Sequence, residues 1–100
     1  MDLIELQQIF EYELKRKLAQ KSRSVNDEIR HLYNAFKFYD IDNSLVLDKN
    51  NWIKGILKTG LCGFGIKELA KIFSRYDPNN TGLINYKNFA YYIYNKEFVE

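Results

Sequence analysis

Apolar residues recur at intervals of three and four along most of the chain, and this spacing predicts helices rather than strands. Near the start, Leu3, Leu6, Phe10, Leu14 and Leu18 fall within about a third of a helical wheel. Glu5, Gln8, Glu11 and Arg16 lie elsewhere on it, so residues 2–20 read as one amphipathic helix. Further on, Ile29, Leu32, Tyr33 and Phe36 form a second stripe, and Ile66, Leu69 and Phe73 a third. Each of these two is followed by a stretch rich in Asp, Asn, Ser and Thr, a turn-forming composition, and then by a helix led by an aromatic residue, Trp52 or Phe89. Ser24 stands where an N-cap belongs, with Asp27 three residues on. Gly60, Gly63 and Gly65 mark a linker between the two halves.

The two halves are copies of one unit. Residues 29–56 and 66–93 align at an offset of 37 with eight of 28 positions identical: Ile29/Ile66, Leu32/Leu69, Phe36/Phe73, Tyr39/Tyr76, Asp40/Asp77, Asn43/Asn80, Asn51/Asn88 and Ile56/Ile93. Similarity at a fixed period means one supersecondary unit used twice. Phe36, Phe73, Trp52, Phe89, Ile56 and Ile93 are the expected interior.

Over residues 26–95 this pattern resembles the EF-hand family, in which helix, twelve-residue loop and helix form the unit. The loops would be 40–51 and 77–88. Aromatics stand one and four residues before each loop, Tyr39 and Phe36, Tyr76 and Phe73, and position 8 is apolar in both, Leu47 and Ile84. The resemblance implies an all-α fold: an EF-hand pair with a short β-ladder through Leu47 and Ile84, preceded by the N-terminal amphipathic helix. The domains would be a helix with a basic end over 1–23 and the pair over 24–100, with hand one at 26–59 and hand two at 64–97. More loosely, KLAQKSRSVNDEIRHLYNAFKFYDIDNSLVLD, a basic stretch leading into the first hand, resembles calcyphosin-like proteins.

The same resemblance implies two ligand sets: Asp40, Asp42, Ser44, Val46, Asp48 and Asn51 in loop one; Asp77, Asn79, Thr81, Leu83, Asn85 and Asn88 in loop two. Both depart from the family pattern. Position 12, a glutamate that grips calcium with two oxygens, is asparagine in both, so each loop loses a charge and a contact. Loop one keeps three carboxylates but has Leu45 at the position reserved for glycine, whereas loop two keeps Gly82 but only one carboxylate. A structural reading covers much of the set without an ion: Asp48 and Asn85 suit helix N-caps, and Asp40 and Asp77 suit turns onto their own amides.

Composition adds exclusions. The chain is 46% hydrophobic and 16% aromatic, enough for one core, and a net charge of +2 gives no reason to expect nucleic acid. Its longest apolar run is too short to span a membrane, and charges run through the first twenty residues, unlike a signal peptide. Cys62 is the sole cysteine and His31 the sole histidine, so neither a disulfide nor a zinc or triad site is expected; Cys62 reads as buried filler. No nucleophile–base pair or phosphate loop is visible, which points away from an enzyme.

The expected function is a non-catalytic interaction or structural module, binding a partner helix or extended segment largely without calcium. A weak calcium sensor or buffer using loop one is the alternative. No cofactor is expected beyond weak Ca2+. The partner would be a protein, in a cytoskeletal, ciliary or axonemal complex as the resemblance implies, and the location cytoplasmic. For residues 2–20 two readings stand open: packing on the chain's own hands, or presentation to a partner. The cluster Lys15, Arg16, Lys17, Lys21 and Arg23 reads as a solvated face or an acidic-surface dock. The stretch Ala90 to Phe98, with three tyrosines in four residues at 91–94, reads as a continuation of the last helix.

Overall fold

The computed structural model describes residues 2–94. Five helices and two short strands follow in order: α1 Leu3–Ala19, α2 Val25–Lys37, β1 Val46–Asp48, α3 Lys49–Lys58, α4 Ile66–Arg75, β2 Leu83–Asn85 and α5 Tyr86–Ile93. Helix α2, β1 and α3 make hand one; α4, β2 and α5 make hand two. The strands pair antiparallel with Leu47 opposite Ile84, as the EF-hand resemblance implied. Hand two's last predicted residues, 95–97, and the end of the predicted helical run, 95–98, lie outside the described residues; α5 stops at Ile93 with Tyr94 as its cap.

Helix boundaries follow from capping. Asp2, Ser24, Asp48 and Asn85 each accept a hydrogen bond from the amide three residues on, which satisfies a donor that a helix start leaves free. Because Asp48 and Asn85 act this way, α3 and α5 begin three residues earlier than Trp52 and Phe89, a full turn ahead of the predicted leading aromatics.

The core is a cluster of rings shared by both hands. Trp52 packs with Phe36, Phe73 and Phe89 at centroid distances of 6.4, 5.6 and 5.5 Å, and Phe36 meets Phe89 edge-on at 5.7 Å. Ile56 and Ile93 close it, so all six expected interior residues are buried. Each large side chain so buried contributes roughly 1.5–3 kcal/mol. Gly55 lets α2 and α3 approach closely, since a Cβ there would stand 2.3 Å from Phe36 Cδ1.

Helix α1 resolves its two readings in favour of packing on the chain. Phe10, Leu14 and Leu18 are fully buried, and Phe10 touches Trp52, Phe64 and Tyr76. Two expectations fail. Ile66 is 68% exposed, because as the first residue of α4 it lies outside the turn that faces the core. Cys62 is exposed rather than buried, because in the glycine linker its neighbour Leu61 takes the inward place. His31 has a structural role: its Nδ1 lies 2.9 Å from Ser22 Oγ, tying the α1–α2 turn to α2.

Candidate functional site

The two loops fold alike despite different residues. Asp40 Oδ1 accepts from the Ser44 amide and Oδ2 from the Leu45 amide, at 3.0 and 2.9 Å. Asp77 does the same with Thr81 and Gly82, at 3.0 and 2.7 Å. Asn43 and Asn80 both take the left-handed conformation, with φ of 56° and 54°. Next in the turn, Leu45 has φ 68° and Gly82 has φ 80°. Leu45 therefore adopts the glycine conformation, and loop one keeps the family shape at a cost of roughly 1–2 kcal/mol. Asp48 and Asn85 turn their oxygens to the Asn51 and Asn88 amides.

Loop one has a partner that loop two lacks. The Tyr86 hydroxyl, from hand two, donates to Asp40 Oδ2 at 2.6 Å within the interior. Asp40 is only 7% exposed. Burial alone would raise its carboxyl, but the Tyr86 hydroxyl and the Leu45 and Ser44 amides outweigh burial and hold it at about 2. The Tyr86 phenol is pushed well above its ordinary value, by burial first and then by the Asp40 charge. Asp77, in the open, is lowered chiefly by the Thr81 hydroxyl. The sequence reading missed Tyr86; the signal was a tyrosine at loop position 10, where the other copy has Lys49.

The candidate calcium ligands already have partners within the protein. The Ser44 hydroxyl bridges Asp40 and the Val46 carbonyl, and the Thr81 hydroxyl bridges Asp77 and the Leu83 carbonyl, so candidate ligands bond to one another. Asp40, Asp42, Ser44, Val46, Asp48 and Asn51 line one cleft. Yet among the described residues no three His, Cys, Asp or Glu side chains converge as a metal cluster. Asn51 supplies a neutral, short oxygen where calcium binding uses a bidentate carboxylate. In loop two, Asn79, Asn85 and Asn88 leave Asp77 as the sole carboxylate.

The second candidate site is the apolar groove across the pair. Trp52, Phe64 and Tyr76 meet Phe10 of α1, so α1 covers this apolar surface. Polar ties hold α1 and the turn after it: Arg75 Nε donates to Gln7 at 2.9 Å and the Tyr76 hydroxyl to Glu11 at 2.5 Å, while beyond the helix Lys21 Nζ donates to the Thr59 carbonyl at 2.6 Å. Lys15 lies 5.7 Å from the Tyr94 ring. The basic cluster is thus partly engaged within the chain rather than wholly solvated.

A curated protein, the Myosin-IB light chain of Dictyostelium discoideum, is 36% identical over 70 residues, covering 70% of this chain and 93% of that protein. With two matched loops, a ladder through position 8 and this relative, the family is decided. The chain belongs to the EF-hand superfamily. No family model matches it, and no solved structure does. As an EF-hand protein it keeps the opening aspartate and the apolar position 8 of both loops, and it has asparagine in place of the closing glutamate in both. Among the described residues no helix of this EF-hand chain is long and apolar enough to cross a membrane.

Proposed function

We propose that this chain is a non-catalytic light chain that binds a helix of a myosin-type heavy chain, largely independently of calcium, as part of the cytoskeleton in the cytoplasm. The observation that carries this reading is the 36% identity to a myosin light chain over 93% of that protein's length. The apolar groove supports it, because EF-hand grooves take amphipathic helices by anchors at i, i+3, i+4 and i+7. Calcium independence is supported by Asn51 and Asn88 at position 12 and by Asp40, whose oxygens are already bonded to Tyr86, Ser44 and Leu45. A ciliary or axonemal place rests on the looser calcyphosin-like resemblance alone and is the narrower reading.

The test is calorimetric titration of the chain with overlapping helical peptides from a Myosin-IB heavy chain, in chelator and in calcium. One peptide binding equally in both supports the proposal. Calcium binding by the chain itself tighter than about 10 µM, the range of sensor sites, would sink calcium independence. The second reading is a weak calcium buffer using Asp40, Asp42 and Asp48; it requires amide spectra that change below millimolar calcium.

A further inference from the structure

Three tyrosines fasten hand two to the rest of the chain, each donating to a carboxylate. The Tyr76 hydroxyl meets Glu11 of α1 at 2.5 Å, Tyr86 meets Asp40 of loop one at 2.6 Å, and Tyr94 meets Glu28 of α2 at 3.0 Å. All three phenols belong to hand two, and all three carboxylates lie in the N-terminal half. A bond to an ionised acceptor is roughly twice as strong as one between neutral groups. The Tyr86 bond is buried and the other two are part-buried, so water competes with them weakly.

Their placement matters more than their number. Tyr86 is the first residue of α5 and Tyr94 its C-cap. Both ends of α5 are therefore pinned to hand one, one at loop one and the other in the first turn of α2. Between the pins Phe89, Ala90 and Ile93 are buried, and Phe89 meets Phe36 of α2 edge-on. Tyr76 caps α4, so that end of α4 is held to α1. Each helix of hand two is thus fixed to an element outside the hand. In sensor EF-hands calcium acts by changing the angle between two such helices. Here a change in that angle strains or breaks a tie at Tyr76, Tyr86 or Tyr94. Two of the ties are peculiar to one copy of the repeat: at the offset of 37, Tyr86 corresponds to Lys49 and Tyr94 to Leu57, which carry no phenol.

We propose that these ties are a lock: they hold hand two in one arrangement, so that the surface offered to a partner stays the same whether or not loop one holds a cation. The Tyr86 tie uses Asp40 Oδ2, which also accepts from the Leu45 amide, while Oδ1 faces the Ser44 amide and hydroxyl. Occupation of the loop through Oδ1 leaves the tie standing. The lock rests on the geometry of the chain and not on the light-chain reading. It gives calcium independence a footing apart from the ligands that the two loops have lost.

Native-state hydrogen exchange on the full chain tests the lock with no cation and no partner present. In Tyr86→Phe/Tyr94→Phe, amides of α5 are expected to exchange about tenfold faster relative to those of α3 than in the unaltered chain. A loss of global stability alone would speed both helices alike. Tyr92→Phe, on the same helix and with no carboxylate tie among the described residues, is expected to leave the ratio unchanged. If the double variant does not fold, Tyr94→Phe alone, at a part-buried bond, takes its place. An unchanged ratio in the folded variant overturns the lock. The second measurement adds calcium and reads amide spectra. In Asn51→Glu, calcium is expected to shift the signals of loop one and β2 but not those of α5 beyond Asn88. With Tyr86→Phe and Tyr94→Phe added, the shifts are expected to run the length of α5. Shifts along α5 with the ties intact overturn the proposal, and so does a variant lacking both phenols that takes up calcium with α5 unmoved. If Asn51→Glu takes up no calcium, the exchange ratio decides. Neither measurement uses a heavy-chain peptide, so failure of the lock and failure of the light-chain reading are seen separately.

Discussion

Loop one and loop two reach the same backbone shape from opposite deficits. Loop one has three carboxylates and a leucine at φ 68°; loop two has one carboxylate and a glycine at φ 80°. In both, the first aspartate bends the chain by accepting two amides. What separates them is enclosure. Asp40 is buried and bonded to Tyr86 of the other hand, while among the described residues Asp77 is bonded within its own loop. In both loops the first aspartate finds its donors within the protein, and one hand supplies a donor to the other.

The largest effect expected from breaking this comparison is on calcium. Asn51→Glu should raise loop one's affinity about a hundredfold, since it restores the bidentate ligand beside three carboxylates. Asn88→Glu should raise loop two's affinity by about tenfold less, because one charge remains beside it; calorimetry on the two variants decides. Next comes the tie between hands. Tyr86→Phe should lower unfolding free energy by about 1.5–3 kcal/mol, because it removes a buried hydrogen bond to a charged carboxylate, read by urea denaturation. Its counterpart Lys49→Ala, at the same loop position in an exposed place, should stay within about 0.5 kcal/mol.

The same tie has a pH signature. The Asp40 carboxyl ionises at about 2 in the fold against an ordinary 3.8, so the unfolded chain takes up the proton first as pH falls. The stabilisation is complete above about pH 4 and is lost as pH falls to about 2. Urea midpoints measured from pH 5 to pH 2 should drop steeply in the native chain and less steeply in Tyr86→Phe. At the other extreme, burial raises the phenols of Tyr76, Tyr86 and Tyr94, so stability should decline once pH passes the ordinary phenol value of 10.

The smallest effects concern the turn. Gly82→Ala should cost about 1 kcal/mol, since a side chain there is strained and finds nothing within 4 Å to pack on. Leu45→Gly should change stability by less than about 1 kcal/mol, because relief of strain is offset by losing a side chain packed partly on the core.

Much of this fold was legible because it repeats. The eight identities placed both loops, and local hydrogen bonding made Ser24, Asp48 and Asn85 readable as caps. The residues that escaped reading are those whose role depends on a distant segment. Tyr86 meets Asp40 across 46 positions, and Glu11 meets Tyr76 across 65. No spacing rule links them. Ile66 and Cys62 went wrong for a related reason: periodicity says which residues are apolar together, but not which way a helix's first turn or a linker faces.

Gly55 has a consequence for the history of the repeat. Its counterpart in hand two, at the offset of 37, is Tyr92, which is largely exposed. A tyrosine in place of Gly55 would need the volume that Phe36 fills. The two copies are thus no longer interchangeable at this position: a tyrosine at 55 alone would collide with Phe36 where it now stands. A duplication that began symmetric is held asymmetric by the absence of one side chain.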